Sequence, residues 1–237
     1  MENVTFLATQ IGFVVLTIVM YTFVLTGLKN ALAKTDWEEK RKKNLFLRTR
    51  LVLIGWTLLI SALSLSGFFS DFSGVPPRFM ILLVVPLITI IIVAFFSRTT
   101  KEILSHVPAA YILRLQVFRV FVEILLWALF LQNLVPIQMT FEGRNFDVLS
   151  GITAPIAAYL LVKSKAGLFI WNILSLGLLI NIVAIAILSL PTPLRFFMNE
   201  PANTIVAAFP FVWLPGLLVP LAYGLSFLSM RQIFTWK

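Results

Sequence analysis

The chain contains no cysteine and a single histidine, His106. Disulfides, thiolate metal sites and cysteine nucleophiles are therefore excluded, and so is a histidine-rich metal centre. Charge is scarce as well. Of 237 residues 12% are Asp, Glu, Lys or Arg, against about a quarter in a soluble domain. No glycine-rich phosphate loop and no nucleophile motif occurs. The last apolar run holds no lysine before Lys237, so a retinal Schiff base is ruled out. The two halves carry no internal similarity of the parallel-repeat kind.

What is present is apolar. Hydrophobic residues make up 59% of the chain and Phe alone accounts for 22. Runs long enough to span a bilayer, which needs about 20 residues, fall near 6–28, 51–69, 79–96, 112–134, 148–162, 168–190 and 205–230. In lipid the backbone must satisfy its own hydrogen bonds, and the short alternating segments of a barrel are missing. These features predict an all-α polytopic bundle of about seven spans, forming one transmembrane domain over residues 1–237. The start Met1-Glu2-Asn3 is acidic, and the run 6–28 exceeds the apolar core of a cleaved signal despite Ala31-Leu32-Ala33. The first span is expected to be retained.

Orientation follows from Lys and Arg. With seven spans, one side collects 15 of them, eight in the loop from Lys29 to Arg50, and the other has Arg78, Arg144 and Arg195. That predicts an outside amino terminus and a cytoplasmic carboxyl terminus. The net charge of +9 thus reads as topology, with no nucleic-acid partner. Thr35-Asp36-Trp37-Glu38 has the spacing of a capping box, and Glu38–Lys42 and Glu39–Lys43 are spaced i,i+4. A short basic helix is expected there. It either binds anionic lipid or serves as the topology signal.

Polar residues within spans are costly to keep and therefore informative. At 100° per residue, Gln116, Arg119, Glu123, Trp127 and Phe130 share one face of the fourth span, with Arg114 opposite. Glu123 falls near the midplane. Arg119, one turn away, is its first candidate partner, although the order Arg-then-Glu is the weaker one and another helix can supply the partner instead. Glu123 reads as a proton- or ion-responsive group or the polar wall of a ligand cavity, or else as half of a structural ion pair that fixes helix packing. The entrance to the fifth span, Glu142-Gly143-Arg144-Asn145-Phe146-Asp147, carries three charges, with Asn145 or Asp147 expected to cap that helix. Ser150, Ala154 and Ala158 make a small-residue stripe, and Pro155 interrupts the shortest span. The sixth span holds Asn172 and Ser175, with Asn181 on the side opposite Asn172. The last holds Pro210, Pro215 and Pro220, beside Tyr223 and Ser226.

From Gln116-Val117-Phe118-Arg119 and Val122-Glu123, through the outer motif from Met139 to Asp147, to Pro210-Phe211-Val212-Trp213-Leu214-Pro215, the chain resembles an uncharacterised group of bacterial multi-pass membrane proteins. That resemblance covers about the second half. It implies a bacterial inner membrane and supplies no activity. The expectation is small-solute or ion transport without a cofactor or metal, with Gln116, Arg119, Glu123, Glu142, Arg144, Asn145, Asp147 and Tyr223 as pathway residues. A non-enzymatic sensor or partner-binding subunit is the alternative, and a membrane-embedded enzyme stands behind both. Expected partners are the bilayer, anionic lipid at the first loop, and a second copy or another membrane protein.

Overall fold

The computed structural model describes residues 2–74 and 76–235, and Lys237 lies outside them. Among the described residues there are helices, turns and loops but no strand. Helices α1 (Glu2–Ala33), α2 (Glu39–Leu65), α3 (Ile81–Ile91), α4 (Arg98–Leu104) and α5 (Ala109–Leu115) precede α6 (Phe118–Leu131). Then come α7 (Val148–Leu160), α8 (Lys165–Leu188) and α9 (Val219–Thr235). Five stretches are long and apolar enough to cross a membrane: Val4–Ala33, Glu39–Leu65, Arg78–Phe96, Lys165–Leu188 and Leu214–Thr235. The most apolar window of the last is 61% buried, against 6% for α2. The last helix is thus the central post, packed on α3, α5 and α8, while α2 lies at the rim.

Several boundaries differ from the sequence expectation, each for a local reason. In the first loop Thr35 sits in the closing turn of α1, where its hydroxyl donates to the Leu32 carbonyl at 2.8 Å. It is therefore not available as a cap. Glu38 is extended at the N-cap and makes no side-chain cap bond, so α2 starts at Glu39 and runs unbroken to Leu65. There is no separate basic helix, and the pair formed is Glu39–Lys42, i,i+3, at 3.0 Å. The helix stops at Gly67, whose φ of 75° is the left-handed conformation a glycine adopts without a Cβ clash.

The expected fourth span, 112–134, is two helices. Between them the ladder tightens to i→i−3 bonds, Gln116 to Leu113 at 2.9 Å and Arg119 to Gln116 at 3.1 Å, a 3₁₀ step between α5 and α6. Asn133, with φ of 60°, follows the end of α6, a conformation its short polar side chain tolerates. The expected last span, 205–230, begins later. Ile205–Ala207 is only a 3₁₀ turn, and regular helix starts at Leu214 as a π turn, Leu214–Leu218, with Pro215 in its first positions. Pro210 offers no N–H to a helix and its ring blocks the preceding turn, whereas a proline at the first helical position loses nothing.

Proline also explains a contact between α2 and the last helix. Pro220 cannot donate to the Gly216 carbonyl one turn earlier, and the half-buried Trp56 donates its indole N–H there at 2.9 Å. Trp56→Phe keeps the ring and deletes the donor. It is expected to cost about 1–3 kcal/mol, the penalty of an unsatisfied buried carbonyl, read as a lower unfolding midpoint in detergent. An unchanged midpoint would mean that the carbonyl finds another donor. Arg231, a tail charge by sequence position, is buried at 8% exposure. Its guanidinium donates to the Ala94 carbonyl and, at 2.8 Å, to the Ser97 carbonyl, capping the π turn that ends the third stretch.

Candidate functional site

The site forms where α6, α7, α8 and α9 meet. Arg119 stands in the first turn of α6 and is 1% exposed. Its guanidinium grips the Asp147 carboxylate from two sides, with Nε to Oδ2 at 2.7 Å and Nη2 to Oδ1. The remaining donors reach α8, to the Ser175 hydroxyl and, at 3.0 Å, to the Ser175 carbonyl. A forked donor matched to a carboxylate is the strong form of this interaction.

Asp147 is in place to cap α7 but makes no side-chain cap bond. Its backbone N–H bonds the Asn145 Oδ1 at 3.0 Å, an Asx turn that leaves the carboxylate facing Arg119. The Asn145 amide donates to the Met139 carbonyl at 3.0 Å and to the Glu123 carboxyl group. The expected Arg119–Glu123 pair therefore does not form. The partner comes from the far side, and Glu123, also 1% exposed, is held by an amide. A charge match across the bundle wins because the i,i+4 geometry with Arg first aligns the side chains poorly.

Close approach of α6 and α7 makes the pairing reachable. A Cβ at Gly151 would lie 2.8 Å from the Val120 backbone nitrogen and 2.6 Å from the Val120 Cγ2, so glycine alone fits there. Ser150, Ala154 and Ala158 are all buried on this side of α7. Below the cluster Gln116 donates to the Ser226 hydroxyl at 3.1 Å, and Asn172 donates to the Ser229 hydroxyl at 2.9 Å. The Gln116 Oε1, the Asn172 Oδ1 and the Ser150 hydroxyl are buried without a partner. Tyr223 is buried on α9, within electrostatic reach of both Asp147 and Arg119.

Not every residue of the outer motif turns inward. Glu142 is exposed and accepts from the Trp127 indole at 2.8 Å. Arg144 lies at the surface too, its guanidinium 5.5 Å from the Phe197 ring centroid while its carbonyl accepts from Asn181 at 2.9 Å. The cluster thus gathers Arg119, Glu123, Asn145, Asp147 and Tyr223, has Gln116 beneath it, and leaves Glu142 and Arg144 on the surface. Ser175 is the member that sequence reasoning noted without assigning to the site. Its signal was a small hydroxyl three residues from Asn172, on the same buried face of the sixth span.

One cation faces two carboxyl groups here. With Arg119 charged, the cluster is neutral only when one of the two holds a proton. Among the described residues no group of three or more His, Asp or Glu is placed to hold a metal ion. No family model, curated protein or solved structure matches the chain. Function must therefore be argued from this cluster.

Proposed function

We propose that the protein is a seven-span transporter of the bacterial inner membrane, amino terminus outside, that moves a small solute or ion together with a proton exchanged at Glu123. The observation that carries this is the division of labour in the cluster. Arg119 spends four hydrogen bonds on Asp147 and Ser175, and among the described residues the buried Glu123 carboxyl group accepts from an amide, Asn145, and forms no ion pair. A proton can join or leave it without breaking the ion pair that holds α6 to α7. Buried ionisable groups facing a bundle interior are the usual elements of proton pathways.

Two features support the topology. Across its 3₁₀ step the α5–α6 segment still amounts to a membrane-length run, and α7 has an apolar continuation to Val162. The three arginines assigned to the outside are each occupied. Arg78 pairs with Asp71 at 3.4 Å, Arg195 with Glu200 at 3.0 Å, and Arg144 covers Phe197. The hydrogen bond from Arg195 holds the Glu200 carboxyl group below the usual carboxylate range. The rule counts Lys and Arg alone, so the 15-to-3 asymmetry stands whatever these three arginines touch.

The test uses proteoliposomes loaded with a pH-sensitive dye and challenged with a panel of amino acids, organic acids, sugars and alkali cations. A solute that drives proton movement in the wild type should fail to do so with Glu123→Gln, which keeps shape and hydrogen bonding. The variant should unfold at the wild-type midpoint. Unchanged proton flux in a folded Glu123→Gln protein would remove Glu123 from the mechanism.

A further inference from the structure

A second polar feature lies outside the cluster and shares no residue with it, at the charged end of α2. There the loop before α2, the first turns of α2 and the start of α4 line an open pocket of about 380 Å³, with Trp37, Lys40, Arg41, Asn44, Arg48 and Thr99 among its walls. Small-molecule pockets start at about this volume. Lys40, Asn44 and Arg48 recur every four residues and so share one face of the helix. Arg41 is held in place, its guanidinium 3.7 Å above the centre of the Trp37 ring. Trp37 is itself fixed, because its indole N–H donates to Glu102 of α4. A guanidinium stacked on an indole keeps its N–H edges directed sideways, where they can fork onto an oxyanion.

The charges in this pocket are not spent elsewhere. Lys42, on a neighbouring face, is taken by Glu39. Among the described residues Lys40, Arg41 and Arg48 form no ion pair, and the one acid of the lining, Glu38, pairs with none of them. Three cations against one carboxylate leave the pocket positive. Its depth fits a headgroup. At 27 residues α2 is about 40 Å long, whereas the hydrocarbon core is about 30 Å thick, so its basic end stands at headgroup level.

We propose that this pocket is a binding site for a phosphate ester anion, with Arg41 and Arg48 holding the phosphate oxygens and Lys40, Asn44 and Thr99 completing the contacts. The site is independent of the transport reading. Its chemistry is met either by the headgroup of an anionic phospholipid or by a soluble phosphate ester. A mere topology signal would depend on the number of charges. A pocket depends on which charges they are.

The experiment follows the thermal unfolding of the full chain in neutral detergent, titrated with phosphatidylglycerol, with phosphatidylcholine, or with glycerol 3-phosphate. Wild type should be stabilised by phosphatidylglycerol and not by phosphatidylcholine. Arg41→Gln with Arg48→Gln should need roughly tenfold more anionic lipid for the same rise. Lys43→Gln with Arg50→Gln removes equal charge outside the pocket and should behave as wild type. If glycerol 3-phosphate reproduces the effect and loses it in the pocket variant, the site takes the headgroup chemistry alone. If only the lipid acts, the site is a lipid site. Equal losses in the two double variants, or no selective stabilisation by either phosphate ester, would overturn the proposal.

Discussion

Arg119→Leu is expected to lower the unfolding free energy by about 3–5 kcal/mol, the cost of breaking a buried pair and leaving one charge uncompensated. The substitution strands the Asp147 carboxylate, 4% exposed, and frees the Ser175 carbonyl. Asp147→Leu should cost about as much by stranding the guanidinium. Neutral interhelical bonds in membrane bundles are far weaker, averaging about 0.6 kcal/mol. Gln116→Ala and Asn172→Ala, which break the bonds to Ser226 and Ser229, should therefore be several-fold milder. The double variant Arg119→Leu/Asp147→Leu should recover part of the loss, because an apolar pair of similar volume needs no charge compensation. Arg119→Leu/Glu123→Leu should recover less, since Glu123 is bonded to Asn145 and not to Arg119. Equilibrium unfolding in mixed detergent micelles reads all of these. Greater recovery with Glu123 than with Asp147 would show that the pair is wrongly assigned.

That contrast marks how far the sequence could be read. Arg119 and Glu123 stand out because ionisable residues in an apolar run are costly and must be doing something. Asn145 and Asp147 are named with them as residues of one site. Which partner each takes is not displayed, because the only neighbours a sequence shows directly are those one turn away. Asp147 lies across the bundle, and no spacing rule reaches it. The outer motif held a finer signal. Within this turn Arg144 and Phe146 are exposed while Asn145 and Asp147 are buried, and the Asx turn from Asn145 to the Asp147 N–H holds that inward pair together.

Helix content and the apolar runs were legible for the same reason that lipid permits little else. The boundaries went wrong where backbone chemistry is local and side-chain hydropathy is blind to it. The run 205–230 is apolar throughout, yet Pro210 keeps its first part out of the helix, and 112–134 conceals a 3₁₀ step with no proline or glycine at the break. Gln116 sits at that break with its side chain committed to Ser226. The pocket at α2 was half visible. The basic run was plain, but the role of Trp37 as a platform for Arg41 required knowing that Glu102, far along the chain, fixes the indole.

Gly143→Ala should be the most damaging single-methyl change in the molecule. A Cβ at this position would lie 2.3 Å from the Ile137 carbonyl oxygen and 2.7 Å from the Gln138 Cα. Both are backbone atoms, so no side chain can rotate away and the turn at Ile137–Met139 must shift. That turn anchors the site from above. The Thr140 carbonyl accepts from the Gly143 and Asn145 N–H groups at 3.0 and 3.2 Å, and the Met139 carbonyl accepts from the Asn145 amide. Moving it displaces Asn145 from Glu123 and tilts Asp147 off Arg119. Overpacking alone costs about 1–3 kcal/mol, and partial loss of the ion pair adds to it. Gly55→Ala and Gly177→Ala are the matched controls, for a Cβ at either meets nothing within 4 Å. Lying inside α2 and α8, they should stabilise by about 0.5–1 kcal/mol through helix propensity. Gly143→Ala should therefore melt well below the wild type while both controls melt at or above it. It should also lose the solute-driven proton flux at temperatures where it is still folded, because the Asn145–Glu123 contact goes first. A Gly143→Ala protein with wild-type stability and flux would mean that the loop carrying Asn145 and Asp147 is not held as described.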